Sequence, residues 1–162
     1  MPDQVLDALD LQILGRLQRD AMPSHQALGE ALQVSTATAH RRVRRLHALG
    51  VVERLVAVLS PRRLADAGVP LLQAVIEVTL DVQNVERLDA FEARAVAEAA
   101  VQQCWRVSPG PDFVLVVGVA DMDAYQALTA RLLTSDANVR NVRAFFAVRR
   151  AKFGSELPLP AP

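Results

Sequence analysis

Four arginines stand within five positions of this sequence, at Arg41, Arg42, Arg44 and Arg45. They lie in the segment VSTATAHRRVRRLHALGVV, which contains no acidic residue, although the whole chain carries 18 basic and 18 acidic side chains and is formally neutral. Guanidinium groups bind phosphate oxygens through paired hydrogen bonds and can read guanine in the major groove of DNA. The cluster therefore predicts a local polyanion-binding surface, and the alternative is a helix face that meets only solvent.

Three helices are predicted to position these arginines. Apolar residues repeat at helical spacing from Leu9 to Leu17, and Asp7 or Asp10 can cap the start of this helix. A second helix is predicted to follow Ser24 and end near Leu32, and a third to follow Ser35 and stop at Gly50. Because the second and third helices are separated by a very short turn, the layout is that of a helix-turn-helix.

The third helix is predicted to present a polar face to DNA. With Ala39 and Leu46 facing the core, a step of about 100° per residue points Arg41 and Arg44 away from it, and Arg42 lies nearer the core boundary. The first residues of such a helix meet base edges, whereas arginines further along meet phosphates. The predicted DNA-contacting residues are Ser35, Thr36, Ala37, Thr38, His40, Arg41, Arg42, Arg44 and Arg45.

The second half of the chain has the hydrophobic period of strands, interrupted by two amphipathic helices. Strands are predicted at 71–80, 101–107, 113–120 and 139–151, and helices at 84–100 and 121–136. The order β-α-β-β-α-β is that of a ferredoxin-like domain, whose antiparallel sheet carries both helices on one face. The strand at 113–120 is apolar on both faces, so a second copy of the chain is expected to cover the open face as a two-fold homodimer.

Other sequence features limit the function classes. Cys104 is the single cysteine, so no intramolecular disulfide can form. The start of the chain has no signal-peptide pattern, and no apolar run approaches the roughly 18 residues of a membrane helix. Paired Cys/His metal spacing and a glycine-rich phosphate loop are absent from the sequence. We therefore expect a cytoplasmic protein without metal or cofactor that is not an enzyme.

Taken together, these blocks resemble the Lrp/AsnC (leucine-responsive, feast/famine) family of transcription regulators. The resemblance rests on LDALDLQILGRLQRD, the arginine-rich block, LLQAVIEVTL and RVSPGPDFVLVVGVADMDAY, and covers about Leu6 to Lys152. It implies a sequence-specific regulator that binds double-stranded DNA, dimerises, often forms octamers, and responds to an amino acid or a related metabolite.

The predicted fold class is α+β, with a winged-helix-like helix-turn-helix domain joined to a ferredoxin-like domain. The predicted segments are a DNA-binding domain at 1–55, a linker at 56–70, a dimerisation and effector-binding domain at 71–152, and a flexible tail at 153–162.

The turn SPGPDF, residues 108–113, is the candidate effector site. In the family, the matching turn lies beside the effector pocket between dimers. Asp112 could accept a hydrogen bond from the ammonium group of an amino acid, and N–H groups near Ser108 and Gly110 could hold its carboxylate. The alternative is a tight structural turn. This chain has Pro109 where the family usually has glycine, and proline removes an N–H donor.

Three other functions share this architecture. One is a nucleoid-architectural DNA-binding protein without an effector, and another is a regulator that has lost its effector. The third is an enzyme similar to the sirohaem decarboxylases, which carry a stretch rich in histidine and tyrosine near the second strand. The corresponding stretch here, VQQCWRVSPGPDF, contains neither residue.

Overall fold

The computed structural model describes residues 5–160, which fall into two compact units. The first contains the residues up to Val58 and those from Lys152 onward, and the second runs from Leu59 to Ala151. The predicted α+β fold class is confirmed, with a helical unit followed by a unit built on a four-stranded sheet.

Three helices make the first unit. They are α1 (Ala8–Leu17), α2 (His25–Leu32) and α3 (Thr36–Ala48). Each follows a capping side chain that accepts a backbone N–H of the first turn, from Asp7, Ser24 and Ser35 respectively. Their inward apolar side chains form one core of Ile13, Leu14, Leu17, Leu28, Ala39 and Leu46.

The residues after α3 do not form the strand that their β-prone sequence suggests. Residues 53–60 carry no strand or helix, and Leu55, Val56 and Val58 are exposed. A strand needs a partner for its backbone groups, and no strand is present in the described part of the first unit to pair with this segment. Within residues 5–160, the wing of the predicted winged-helix-like domain is therefore not formed.

The segment predicted to be a flexible tail lies against α1 instead. Gln18 exchanges two hydrogen bonds with the backbone of Leu157, Arg19 pairs with Glu156 at 3.5 Å, and Leu159 packs on the helical core. These apolar and backbone contacts tie the tail to the helices through residue 160. Residues 161 and 162 of the predicted tail lie outside the described residues.

The second unit has the predicted order of strands and helices, with one addition. A short helix α4 (Pro61–Asp66) occupies part of the predicted linker, capped by Ser60 and begun by a proline. The other elements are β1 (Leu72–Leu80), α5 (Val85–Ala97), β2 (Val101–Arg106), β3 (Phe113–Val119), α6 (Met122–Thr129) and β4 (Val139–Phe146). A π-helical turn, Ala130–Thr134, extends α6.

All strand pairs are antiparallel, in the order β2-β3-β1-β4. One face of the sheet carries the core, in which Phe91 and Ala95 of α5 and Leu128 of α6 pack on buried residues of β1 and β3. The prediction that β4 runs to 151 was wrong by five residues, because β4 pairs with β1 and its last paired residue, Phe146, lies opposite Ala74, near the start of β1.

Candidate nucleic-acid interface and effector turn

The turn between α2 and α3 is held tightly enough to fix the direction of α3. Gln33 ends α2 in the left-handed region with φ 56°, and the N–H of Val34 donates to the carbonyl oxygen of Gly29 at 2.9 Å. A Cβ on Gly29 would stand 2.8 Å from the carbonyl oxygen of Val34. Only glycine therefore lets the chain turn this closely onto the end of α2.

The start of α3 is ordered by two hydroxyl groups. Ser35 Oγ accepts the N–H of Thr38 at 3.1 Å and lies 2.9 Å from Thr38 Oγ1. Thr36 and Ala37 remain exposed beside them. Ser35, which was predicted to contact DNA, thus has a structural function as the N-cap of α3.

The four arginines of α3 divide into two pairs. Arg41 and Arg44 are exposed and form none of the ion pairs or side-chain hydrogen bonds found among residues 5–160. Arg42 and Arg45 turn toward α1, where they meet Asp7 and the fully buried Asp10. Neither acid lies on α3, so the helical periodicity of α3 did not predict these partners.

Arg42 and Arg45, the inner pair, form an ion network with Asp7 and Asp10. Arg42 Nη1 lies 2.6 Å from Asp7 Oδ2 and 3.1 Å from Asp10 Oδ1, and Arg45 Nη1 lies 2.8 Å from Asp10 Oδ2. The hydrogen bond with Asp7 is the main reason that the pKa of Arg42 is raised. The pKa of Asp7 is lowered, first by the N–H of Asp10 and then by Arg42, against an opposing effect of burial.

Two histidines meet at the outer surface of the motif. His25, the first residue of α2, and His40 of α3 are both exposed, and their ring centroids lie 4.7 Å apart in an edge-to-face contact. This contact joins α2 to α3.

The candidate effector turn is anchored through Asp112. Its Oδ2 accepts the backbone N–H of Leu80 at 2.7 Å and the side-chain amide of Gln83 at 3.2 Å, and its own N–H donates to the carbonyl oxygen of Val78 at 2.9 Å. Gly110 has φ 118°, a conformation that favours glycine. Ser108 and Gly110 are exposed, so the turn presents backbone to solvent while Asp112 ties it to the end of β1.

The face of the sheet opposite the helices is open and carries apolar side chains beside polar ones. One row of neighbouring residues across the strands contains Phe145, Val75, Val116 and Gln103, and the next contains Arg143, Glu77, Val114 and Trp105. Trp105 is 56% exposed and Phe145 is 47% exposed. Cys104 points to the other side, where it packs against the core and burial raises the pKa of its thiol.

Both units match domains of one protein family. Residues 6–47 match the AsnC-type helix-turn-helix domain, and residues 73–157 match the Lrp/AsnC ligand binding domain. The chain belongs to the Lrp/AsnC family. It is a transcriptional regulator of that family, as the resemblance implied, and its first unit is the DNA-binding domain.

Relatives within the family align over nearly the whole chain. An uncharacterised HTH-type transcriptional regulator of Haemophilus influenzae is 34% identical over 156 residues, which cover 96% of this chain and 90% of the relative. The leucine-responsive regulatory protein of Rhizobium meliloti is 33% identical over 147 residues, which cover 91% of this chain and 92% of the relative.

Solved structures of Lrp/AsnC proteins have the same fold. An AsnC family transcriptional regulator from Agrobacterium tumefaciens superposes with a TM-score of 0.81 at 28% identity, covering 94% of this chain and 97% of the other. A transcriptional regulator from Neisseria meningitidis in complex with L-Met superposes with a TM-score of 0.80 at 26% identity, covering 95% and 97%.

None of the helices within residues 5–160 combines the length and the apolar character that a membrane span requires. No group of three or more His, Cys, Asp or Glu side chains within residues 5–160 is placed to hold a metal ion.

Proposed function

We propose that this Lrp/AsnC regulator reads DNA through the outer face of α3. The observation that carries the proposal is the pair Arg41 and Arg44, exposed on the helix that follows the tight turn and lacking ion partners among residues 5–160. B-DNA's major groove admits an α-helix, and exposed guanidiniums bind guanine edges or phosphates there. Thr36, Ala37 and His40, exposed nearer the helix start, supply further contacts to bases.

Under this proposal, some of the nine predicted DNA-contacting residues hold α3 in place, and the others contact DNA directly. Ser35 and Thr38 organise the helix start, and Arg42 and Arg45 are held by carboxylates of the protein itself. Direct contacts with DNA then fall mainly to Arg41 and Arg44 and to the exposed residues at the start of α3.

A homodimer formed through the open sheet face is part of the proposal. The exposed apolar side chains of Val75, Trp105 and Phe145 on this face need a cover, and a second copy supplies a matching surface by two-fold symmetry. A dimer presents two copies of α3, so the operator is expected to be roughly palindromic with half-sites about one helical turn, or a multiple of it, apart. The larger assembly proposed from the family resemblance is an octamer.

An amino acid is the proposed effector, bound beside residues 108–112. The L-Met complex of the Neisseria meningitidis regulator supports this class of ligand. Asp112 Oδ2 is occupied by Leu80 and Gln83, so its Oδ1 is the oxygen left to accept the ammonium group, while exposed backbone at Ser108 and Gly110 receives the carboxylate. The proposed location is the cytoplasm, where a transcription regulator meets its DNA, and the proposed activity is non-enzymatic regulation.

Fluorescence anisotropy tests the DNA-reading proposal. The full-length protein is titrated onto a duplex that it has itself selected from a random library, and onto a base-shuffled duplex of the same composition. Wild-type protein should prefer the selected duplex, and Arg41→Ala should reduce that preference by about 1–3 kcal/mol if a base contact is lost. Equal affinity for the two duplexes would favour an architectural DNA-binding protein instead.

A further inference from the structure

The two arginine pairs of α3 differ in what surrounds them. Within each pair the residues are three positions apart and so lie on one strip of the helix. The strip with Arg41 and Arg44 is exposed, whereas the side chains of Arg42 and Arg45 are 26% and 29% exposed and turn toward the start of α1. Of the four arginines of α3, Arg41 and Arg44 therefore remain exposed at the surface to bind DNA.

Asp10 is the carboxylate that contacts both arginines of the inner pair. Its side chain is 0% exposed, and its two oxygens take different arginines, with Oδ1 accepting from Arg42 and Oδ2 from Arg45. Oδ2 also accepts the N–H of Asp7 at 3.2 Å, which completes a capping box at the start of α1. The orientation of α1 and the rotation of α3 are thus joined at one carboxylate.

Asp7 and Asp10 bring two carboxylates against the guanidiniums of Arg42 and Arg45. A DNA phosphate could draw Arg45 away only by leaving the buried carboxylate of Asp10 short of a partner, which is strongly unfavourable. Phosphate contacts raise affinity for every DNA sequence alike, whereas base contacts discriminate between sequences. Withholding two arginines from phosphates therefore weakens binding to random DNA without removing a base contact.

We infer that Asp10 is a positioning residue that sets DNA specificity without touching DNA. It keeps Arg42 and Arg45 from binding DNA phosphates, and it fixes the rotation of α3. The inference rests on the proposed assignment of α3 as the DNA-reading helix. It makes Asp10, which touches no DNA, a determinant of the ratio between selective and random binding.

The test measures binding of the full-length protein to the selected and shuffled duplexes across a series of salt concentrations. Asp10→Asn keeps the shape of the side chain but removes the buried charge that holds Arg45, while Arg42 retains Asp7. On the shuffled duplex the log–log salt slope should become steeper by about 0.9 for each protomer bound. The preference for the selected duplex should fall. Asp7→Asn together with Asp10→Asn should steepen the slope by up to about 1.8 for each protomer.

A second substitution separates released charge from general damage. Asp10→Asn combined with Arg45→Gln should return the slope and the preference toward wild-type values. If Asp10→Asn weakens binding to both duplexes equally and leaves the slope unchanged, Asp10 acts only on stability and the inference is wrong. Glu53→Gln, at an exposed position of the same unit, is the matched control and should change neither quantity.

Single arginine variants decide the question even if Asp10→Asn does not fold, as judged by circular dichroism. Arg42→Gln and Arg45→Gln should leave the slope unchanged on the shuffled duplex, and a decrease of about 0.9 per protomer in its magnitude for either would overturn the inference. Arg41→Gln and Arg44→Gln should each decrease the magnitude of the salt slope on the shuffled duplex by about 0.9 per protomer. If these two have no effect, the assignment of α3 as the DNA-contacting helix fails, independently of Asp10.

Discussion

Asp112 Oδ2 lies 2.7 Å from the backbone nitrogen of Leu80 and accepts its hydrogen bond. Leu80 is almost fully buried, so this N–H has no route to water when the carboxylate is removed. The residue that the sequence suggested as an effector ligand is therefore also the anchor of its own turn.

Asp112→Ala should lower the free energy of unfolding by about 1–3 kcal/mol, because it leaves a buried donor unsatisfied. Asp112→Asn keeps a side-chain oxygen and should retain most of that stability, but it loses the negative charge that the proposed effector site offers to an ammonium group. Urea unfolding followed by the fluorescence of Trp105 measures the first effect. Calorimetric titration with L-Met, and then with the other amino acids, measures the second. Asparagine at 112 with undiminished amino-acid affinity would contradict the proposed function of Asp112 in effector binding.

Lowering the pH should reduce the stability of the first unit, because Asp7 becomes protonated. Its pKa is lowered from an ordinary value of 3.8 by the Asp10 N–H and by Arg42, so its ionised form stabilises the fold. That stabilisation is complete well above pH 3.8 and is lost as the pH falls toward the lowered folded-state value. Amide hydrogen exchange at Ile13 and Leu14 of α1, measured from pH 6 to pH 3, should show protection decreasing over the lower part of this range. Asp7→Asn should flatten this dependence, and Glu53→Gln should not.

Local signals made most of the first unit predictable. The helical spacing of apolar residues, the caps at Ser24 and Ser35 and the stop at Gly50 all depend on neighbours within a few positions. The partners of Arg42 and Arg45 stand 32 and 35 residues away in sequence, at Asp10. Helical periodicity places an arginine on a face, but it does not say which distant acid meets that face, so the division of the cluster into inner and outer pairs required the tertiary structure.

In the second unit, too, local sequence signals predicted the elements but not every partner that bounds them. The strand-like hydrophobic period of the second half predicted the sheet, and the β-α-β-β-α-β order predicted its topology. The end of β4 depends on where its partner β1 begins, and the sequence pattern of β4 alone does not indicate that position. The helix α4 had a readable local signal, a serine cap before a proline at the first helical position, that the turn-rich composition of the linker obscured.

Two glycines provide a matched test of the helix-turn-helix geometry. Gly29→Ala would place a Cβ 2.8 Å from the carbonyl oxygen of Val34, which is backbone and must shift, so the turn should open and stability should fall by about 1–3 kcal/mol. Gly15→Ala, in the middle of α1, meets no atom within 4 Å and should stabilise the helix by roughly 0.5–1 kcal/mol. Thermal unfolding followed at 222 nm compares the two. Opposite signs are expected, and a neutral Gly29→Ala would mean that the turn is not sterically limited.

Ser35 allows helix capping to be separated from DNA contact. Ser35→Ala removes the acceptor for the N–H of Thr38 and should destabilise α3 by about 1 kcal/mol. Ser35→Asp restores an acceptor and should recover stability, yet it puts a negative charge beside DNA and should weaken binding to the shuffled duplex at low salt. Circular dichroism and anisotropy, run on the same samples, report the two properties. Wild-type DNA affinity in Ser35→Asp would place Ser35 away from the DNA phosphates.

Trp105 is the sharpest test of the homodimer. It is 56% exposed on the open sheet face, beside Val114, and a buried aromatic anchor of this kind typically carries 2 kcal/mol or more of binding energy. Trp105→Glu should therefore raise the dimer dissociation constant by at least about 30-fold and weaken binding to a palindromic duplex more than to a single half-site. Met122→Glu, an exposed apolar residue of α6 on the opposite side of the sheet, is the control and should leave the assembly intact. Sedimentation velocity over a range of concentrations measures both. A Trp105→Glu variant that sediments as the wild type does would require a dimer interface elsewhere on the chain.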